Sequence, residues 1–520
     1  MAISTDLTRP TPRSKASTNV PPRPSTPPGT APRRIASNFV FMSLAEIICR
    51  GTSVAVTLTL AKRLGMADYG RVGFAFDVVF WLVLLVRDAF EVIISRELAR
   101  HPRIVRPLVN HVLALRGILA TGLFFGLVTI SSLTLRVAED RAILALYGLL
   151  LLTTALGLDF VYRGTERMGL VALSLCVRTV VYASGVLFWV GDPGRIVWVP
   201  VWLAVGEACG ITLVWACYTR QYGLPRPVLG LRFLRVFLKR GRSVCCIQVA
   251  QTIISTSDLL VVDMMSRWSE VGRYGAPHRM VTALLTFGMI FQQVSFPTLA
   301  RSWRQTTESG RDTLNAMVRV LMTALIPVAV GGAVLSGPLV EWMLTKEYAG
   351  AGVLLALGIW RAPLLSLAYL YQITLIAVNR EAAGVRLLLT GALTSAPLAA
   401  LLCWLFGLAG AASAVLLIGL SLVVAGYVLL ARESRQPAWH HHLGKPLIAA
   451  AGMVPVCLLL AQYHVAVGVL GGALSYLSIL FAVGGVQVGD LHRLLGRKKQ
   501  EGIPAPHTRG PRQLSTSSEV

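Results

Sequence analysis

The chain alternates long apolar runs with short polar breaks, and the runs have the length of a bilayer crossing, about 20 residues. They lie at residues 36–61, 72–94, 108–131, 142–162, 168–190, 196–218, 244–265, 276–299, 315–336, 351–377, 383–405, 410–431, 446–463 and 468–489. Apolar stretches of this length with few charges read as transmembrane helices, so the pattern predicts about fourteen. The run at 446–463 is short for a crossing, and a count of twelve fits the same pattern.

Between the first two runs stands the turn Leu64-Gly65-Met66-Ala67-Asp68-Tyr69-Gly70, echoed 205 residues later by Glu270-Val271-Gly272-Arg273-Tyr274-Gly275. The echo predicts a duplication, and the offset acts as a ruler. On the first helix Ser43, Glu46, Arg50, Ser53 and Thr57 share an arc of about 80° at helical spacing. The offset carries Ser43 to Gln248, Glu46 to Gln251, Arg50 to Ser255 and Ser53 to Asp258, which also share one face of the seventh helix. On helix two Asp77, Asp88 and Glu91 lie within about 60°, with Arg87 on the border; on helix eight Arg279, Thr282, Thr286 and Gln293 form the corresponding stripe, Asp77 mapping to Thr282, Arg87 to Gln292 and Asp88 to Gln293. The expected fold is an all-α polytopic integral membrane protein of about fourteen transmembrane helices. Two pseudo-symmetric six-helix lobes surround a central cavity, and two C-terminal helices follow. The paired turns themselves read as hairpin closures, glycine supplying backbone freedom and tyrosine an interfacial anchor.

Composition sharpens this. Of 520 residues, 54% are hydrophobic and 14% charged, with mean hydropathy +0.64, which excludes a soluble globular chain. The net charge of +24 would point to nucleic acid in a soluble protein, but here Lys and Arg collect in alternate loops, at 96–106, 220–242, 301–311, 432–445 and 493–499. By the positive-inside rule this places both termini in the cytoplasm, and no nucleic-acid partner is expected. Residues 1–35, rich in Pro, Ser, Thr and Arg, read as a disordered basic tail without a signal-peptide core. The predicted division is an N-lobe at 36–218, a basic amphipathic linker at 219–243 with an interfacial helix at 229–240, a C-lobe at 244–431, two further helices within 446–489 and a cytoplasmic tail at 490–520.

Ionisable groups inside spans cost several kcal/mol unless they face water, a partner or a substrate. A neutral packing seam would use Gly, Ala and Ser, so stripes of Glu, Arg, Asp and Gln point to a polar cavity. For single residues the alternative stays open: Glu46 with Arg50, or Asp159 with Arg163, are spaced as intrahelical ion pairs. Arg116, Arg178, Arg361 and Arg386 lack an obvious local partner; Arg386 is close enough to a span end to snorkel, whereas Arg178 and Arg361 lie deeper. The candidate cavity cations are Arg50, Arg178, Arg279 and Arg361, since guanidinium groups pair bidentately with phosphate oxygens. Candidates for ion coupling or hydrogen bonds to glycan hydroxyls are Glu46, Asp77, Asp88, Gln248, Gln251 and Asp258. The eight cysteines lie within apolar segments as small packing residues. The run His440-His441-His442 lacks the companions of a metal site. No catalytic residue, metal or cofactor is expected.

Asn38 opening helix one, Leu64-Gly65 with Asp68-Tyr69-Gly70, and Arg96-Glu97-Leu98-Ala99 closing helix two resemble the polysaccharide-transporter family of the multidrug/oligosaccharidyl-lipid/polysaccharide superfamily, to which the Wzx O-antigen flippases belong. Asp258, Gly272, Tyr274-Gly275, Arg279 and Pro297 match the family's run in the second half. Pro277 departs from the pattern, although a proline in a helix's first turn is tolerated. The resemblance implies a flippase, not an enzyme. Its cargo would be an undecaprenyl-pyrophosphate-linked oligosaccharide, and its setting the bacterial inner membrane, among membrane lipids, with a polysaccharide polymerase and a chain-length regulator as partners. Three rivals remain: a lipid II flippase; a drug antiporter, which would want an acidic cavity; and a periplasmic polymerase or ligase, which would want a sizeable outer loop.

Overall fold

The computed structural model describes residues 31–191, 195–432, 435 and 439–484; for some of these, including Asp88 and residues 231–241, it describes the backbone alone. Every regular element among them is helical. In hydrocarbon each backbone N–H and C=O needs an internal partner, and the helix supplies it within one segment. The order is α1 (Ala31–Val83), a π-helical segment (Leu84–Asp88), α2 (Ala89–Arg100), α3 (Val105–Thr134), α4 (Ala138–Ala155), α5 (Asp159–Gly164), α6 (Met168–Trp189), α7 (Trp198–Tyr222), α8 (Leu231–Met265), α9 (Trp268–Gln305), α10 (Thr307–Val334), α11 (Ser336–Met343), α12 (Gly352–Gly358), α13 (Arg361–Ala377), α14 (Glu381–Ala431), α15 (Trp439–Ala461) and α16 (Val465–Ala482).

Twelve helical stretches among the described residues are long and apolar enough to cross a bilayer. Two of them double back. The 51 residues of α14 would extend about 77 Å as a straight helix, more than twice the bilayer core of about 30 Å. At Gly407 the backbone leaves the helix with φ 62°. A Cβ on Gly410 would lie 1.8 Å from the carbonyl oxygen of Leu402, so the chain has folded onto itself there. In α1 the same break falls at Gly65, φ 74°, and residues on both sides of it line one cavity. Counting both arms of each hairpin gives fourteen crossings among the described residues.

The duplication is visible in the packing. In the first half α1 packs on α6 and on α4, and α4 packs on α7; in the second half α8 packs on α14, α9 on α13, and α13 on α14. These are the same neighbours at a shift of six spans. The final pair, α15 and α16, pack on each other, and α15 rests on α10.

The lobes meet along α1 and α9, on the face of the membrane that carries Gly65. Here a Cβ on Gly70 would stand 1.9 Å from the Trp268 carbonyl oxygen, and one on Gly272 would stand 2.0 Å from that of Met66. Phe74 meets Trp268 edge-on at 5.2 Å. One hydrophobic core, drawing on both lobes, fills this turn face. At the opposite, Arg-rich face the halves have separate cores, and α2 reaches across to α8. The close backbone approach sets an expectation for Gly272→Ala: the methyl group has no room, and overpacking of this kind costs about 1–3 kcal/mol. A lower unfolding temperature of the purified protein in detergent checks it.

Four local expectations need correction. The segment 66–70 and its echo 270–275 are not turns but the opening of helices. Glu270 accepts the backbone N–H of Arg267 at 3.1 Å, a capping interaction that starts α9 in a polar stretch. Pro277 therefore stands inside α9 rather than in a first turn. Tyr69 and Tyr274, 3% and 4% exposed, are buried rather than interfacial anchors. The stretch expected as a separate interfacial helix, 229–240, enters α8 at Leu231 and continues into the seventh span without interruption. Residues 1–30 and 485–520, and the side chains of Asp88 and His440 to His442, lie outside the described residues.

Candidate functional site

A cavity of about 350 Å³ opens between the lobes. Most of its wall belongs to the first half. The first arm of α1 contributes Arg50, Ser53 and Thr57, and the second arm contributes Tyr69, Phe76, Asp77 and Phe80. Tyr147 of α4, Arg178 and Tyr182 of α6 and Glu207 of α7 follow, and the far wall is made by Thr256 of α8 and by His278, Arg279 and Thr282 of α9. Three of the four expected cations thus share one cavity, together with Asp77.

Their electrostatic situations differ. The guanidinium of Arg279 crosses from the C-lobe: Nη2 donates to Asp77 Oδ2 at 2.7 Å and Nη1 to the Tyr69 hydroxyl at 3.1 Å. It also lies over the rings of Tyr69 and Phe76, at 5.5 and 5.9 Å. Arg178 is held between two carboxylates, Asp159 Oδ2 at 2.7 Å and Glu207 Oε2 at 3.1 Å. Arg50 is exposed to the cavity and has no ion-pair partner among the described residues. A phosphate or carboxylate entering here meets one open cation and two that are already compensated. Five aromatic rings, Tyr69, Phe76, Phe80, Tyr147 and Tyr182, stand around them.

The fourth expected cation lies elsewhere. Arg361, 2% exposed, ion-pairs with Asp258, which is fully buried. Asp258 also accepts the hydroxyl of Tyr274. Arg361 donates to the Ser255 carbonyl at 3.2 Å and to His278 Nδ1 at 2.9 Å. This cluster seals the C-lobe behind His278, whose ring belongs to both the cavity and the cluster. Arg361 does not line the cavity, and its guanidinium is held by the buried carboxylate of Asp258. Glu46, Gln248 and Gln251 are half-buried and do not line the cavity. The ruler therefore connects residues whose environments have diverged: Ser53 faces the cavity, and its counterpart Asp258 is shut away.

The local ion pairs left open by the sequence resolve through space. Asp159 bonds Arg178 of α6, while Arg163 pairs with Glu91 at 3.5 Å. Arg116 is not an isolated cation: it donates to the carbonyls of Arg87 and Gly157 at 3.1 and 3.2 Å and covers the Phe160 ring. Sequence reading missed Glu207 and His278, both of which the rule that intramembrane ionisable groups mark function would have caught. It also missed Asp263, buried in α8 with neither carboxylate oxygen hydrogen-bonded among the described residues. The partnership of Tyr69 with Arg279 had no local signal.

A family described as polysaccharide biosynthesis protein matches residues 35–303, more than half of the chain. Among solved structures the chain is similar to the lipid II flippase MurJ in an inward closed conformation, with TM-score 0.70 and 15% identity, over 88% of this chain and all of that one. It is also similar to a multidrug resistance MATE transporter of the MOP superfamily in its inward-facing conformation, with TM-score 0.60 and 13% identity, over 77% of this chain and all of that one. An outward-facing MATE structure aligns with TM-score 0.53 and 12% identity, over 77% of this chain and 95% of that one. No curated protein sequence matches. The family match over more than half of the chain places it in the polysaccharide biosynthesis protein family, and the solved structures share its fold.

Proposed function

We propose that the protein is a flippase that moves a lipid-linked oligosaccharide repeat unit, carried on undecaprenyl pyrophosphate, from the cytoplasmic to the periplasmic leaflet of a bacterial inner membrane. The observation that carries this is the interlobe cavity, in which Arg50, without an ion-pair partner among the described residues, shares the wall with Arg178, Arg279 and five aromatic side chains. Guanidinium groups suit a pyrophosphate, and aromatic faces suit the apolar faces of sugar rings. The Arg-rich face is cytoplasmic in this reading, with both termini there. Rocking of the lobes about the α1–α9 contact exposes the cavity to either side in turn, while the lipid tail stays in the bilayer. Asp77 contributes to coupling or to hydroxyl recognition through Arg279. A polymerase and a chain-length regulator are the expected partners for the exported unit.

A lipid II flippase is the second reading, favoured by the similarity to MurJ. A drug antiporter is disfavoured by the open cation. Two experiments separate these. Arg50→Ala, expressed in a strain lacking the native gene, is expected to cut surface glycan at least tenfold, as loss of a charge-assisted contact of about 1.4 kcal/mol or more does. Thermal stability and expression should not change, because Arg50 has no ion-pair partner among the described residues. Undiminished glycan would remove the cavity from the transport path. Rescue of a strain depleted of its lipid II flippase would move the assignment to peptidoglycan.

A further inference from the structure

The N-lobe is packed as two bodies, and the division falls at one level of the membrane. In the second span Val86, inside the π-helical segment Leu84–Asp88, belongs to the shared core, and Ile94 belongs to a separate one. In α3 the change lies between Ala120 and Leu113. In the fourth span it lies between Ala155 and Leu158, where the helix is interrupted before α5. The interruption frees carbonyls that other spans take up: Arg116 bonds Gly157 O and Trp215 Nε1 bonds Leu156 O at 2.8 Å, and Arg116 also bonds Arg87 O inside the π segment. Interruptions of this kind mark hinges.

Below that level α2 and α5 form one unit. A Cβ on Gly164 would stand 2.7 Å from Leu98 Cβ and 2.9 Å from Ser95 O; Arg163 pairs with Glu91 across the contact. This unit carries α2, the element that touches α8 of the other lobe at the Arg-rich face. Its link to the cavity is the first residue of α5, Asp159, which holds Arg178. Glu207 holds the same guanidinium from α7, outside the unit.

We infer that Asp159 is a positioning residue that ties the cavity to the contact between α2 and α8. A phosphate-bearing anion engaging Arg178 displaces Asp159, and the α2–α5 unit, released at its hinge, moves away from α8. Ligand binding thereby acts on the Arg-rich face from a distance, through a two-position side chain rather than through deformation of the core. The inference rests on the cavity being an anion site, as proposed above.

The test is hydrogen exchange of the full chain in phosphatidylcholine nanodiscs, with inorganic pyrophosphate as one probe and undecaprenyl pyrophosphate in the bilayer as the other. Either probe is expected to speed exchange in residues 89–104 and 156–165 about fivefold or more. A response to the lipid alone identifies the source as a lipid headgroup; a response to both includes free anions. Asp159→Asn is expected to show the fast exchange without a probe and no further change with one. Glu207→Gln, which weakens the same guanidinium's partners without touching the unit, should keep the slow exchange until a probe is added. Binding of a probe to the wild type, measured by calorimetry, with unaltered exchange in both segments overturns the inference while leaving the anion cavity intact. Slow exchange in Asp159→Asn overturns it as well. If neither probe binds, the trigger is absent and the inference falls; the glycan phenotype of Arg50→Ala then decides the functional reading separately.

Discussion

Arg279→Ala is expected to abolish export and to weaken the association of the two lobes. Its guanidinium comes from α9, and its partners Asp77 and Tyr69 come from α1, so the substitution cuts a bond between lobes rather than within one. It also strands Asp77, which is 7% exposed, as a carboxylate without its cation. Removing one partner of a buried pair costs about 3–5 kcal/mol, chiefly the penalty of the charge left behind. The prediction has a sign test. The double variant Asp77→Asn, Arg279→Met removes both charges and should recover most of the lost unfolding temperature, while export stays at background because the cavity has lost a cation. Thermal unfolding in detergent and surface-glycan staining read the two effects independently. Export near wild-type levels in Arg279→Ala would show that the interlobe clasp takes no part in transport.

The second large effect is expected at Arg361, for a different reason. Arg361→Ala leaves Asp258, fully buried, with Tyr274 and His278 as its remaining partners among the described residues, and a loss of about 3–5 kcal/mol is again expected. The protein should accumulate poorly, and the defect should be one of folding rather than of substrate affinity. Pairing Arg361→Met with Asp258→Asn should restore accumulation in the membrane and a substantial part of export, since neither residue lines the cavity. Restored folding with no export would instead assign the cluster a direct part in transport. A single substitution at Asp258 is thus a poor probe of the transport path, whereas Arg50, exposed and without an ion-pair partner among the described residues, is a clean one.

The contrast between these two arginines shows which parts of the site were legible. Both appear in the sequence as cations inside apolar runs, and nothing local distinguishes them. Arg361 finds Asp258 103 positions away, and Arg279 finds Asp77 202 positions away; helical periodicity describes one helix's face and not what stands opposite it. The i,i+4 spacing of Asp159 and Arg163 suggested a pair that the structure does not form, because Arg178 on α6 and Glu91 at the head of α2 offered closer partners. Tyr69 is buried rather than interfacial for a related reason. Tyrosine beside a span end usually sits at the interface, but the close approach of Gly70 to Trp268 draws this end of α1 into the shared core.

The sequence by itself determined that the chain crosses a membrane many times, where the crossings fall, that the two halves are related by a fixed offset and which residues carry charge into the bilayer. Those properties are one-dimensional: the bilayer demands a certain length of apolar helix, and duplication leaves a constant shift. Tertiary structure alone decided that Arg50 is open while Arg178, Arg279 and Arg361 are compensated, that the cavity draws mainly on the first half, and that the basic stretch before span seven is part of its helix. Charge compensation depends on distances of a few ångströms between residues far apart in the chain, and only the packing of one helix on another sets those distances.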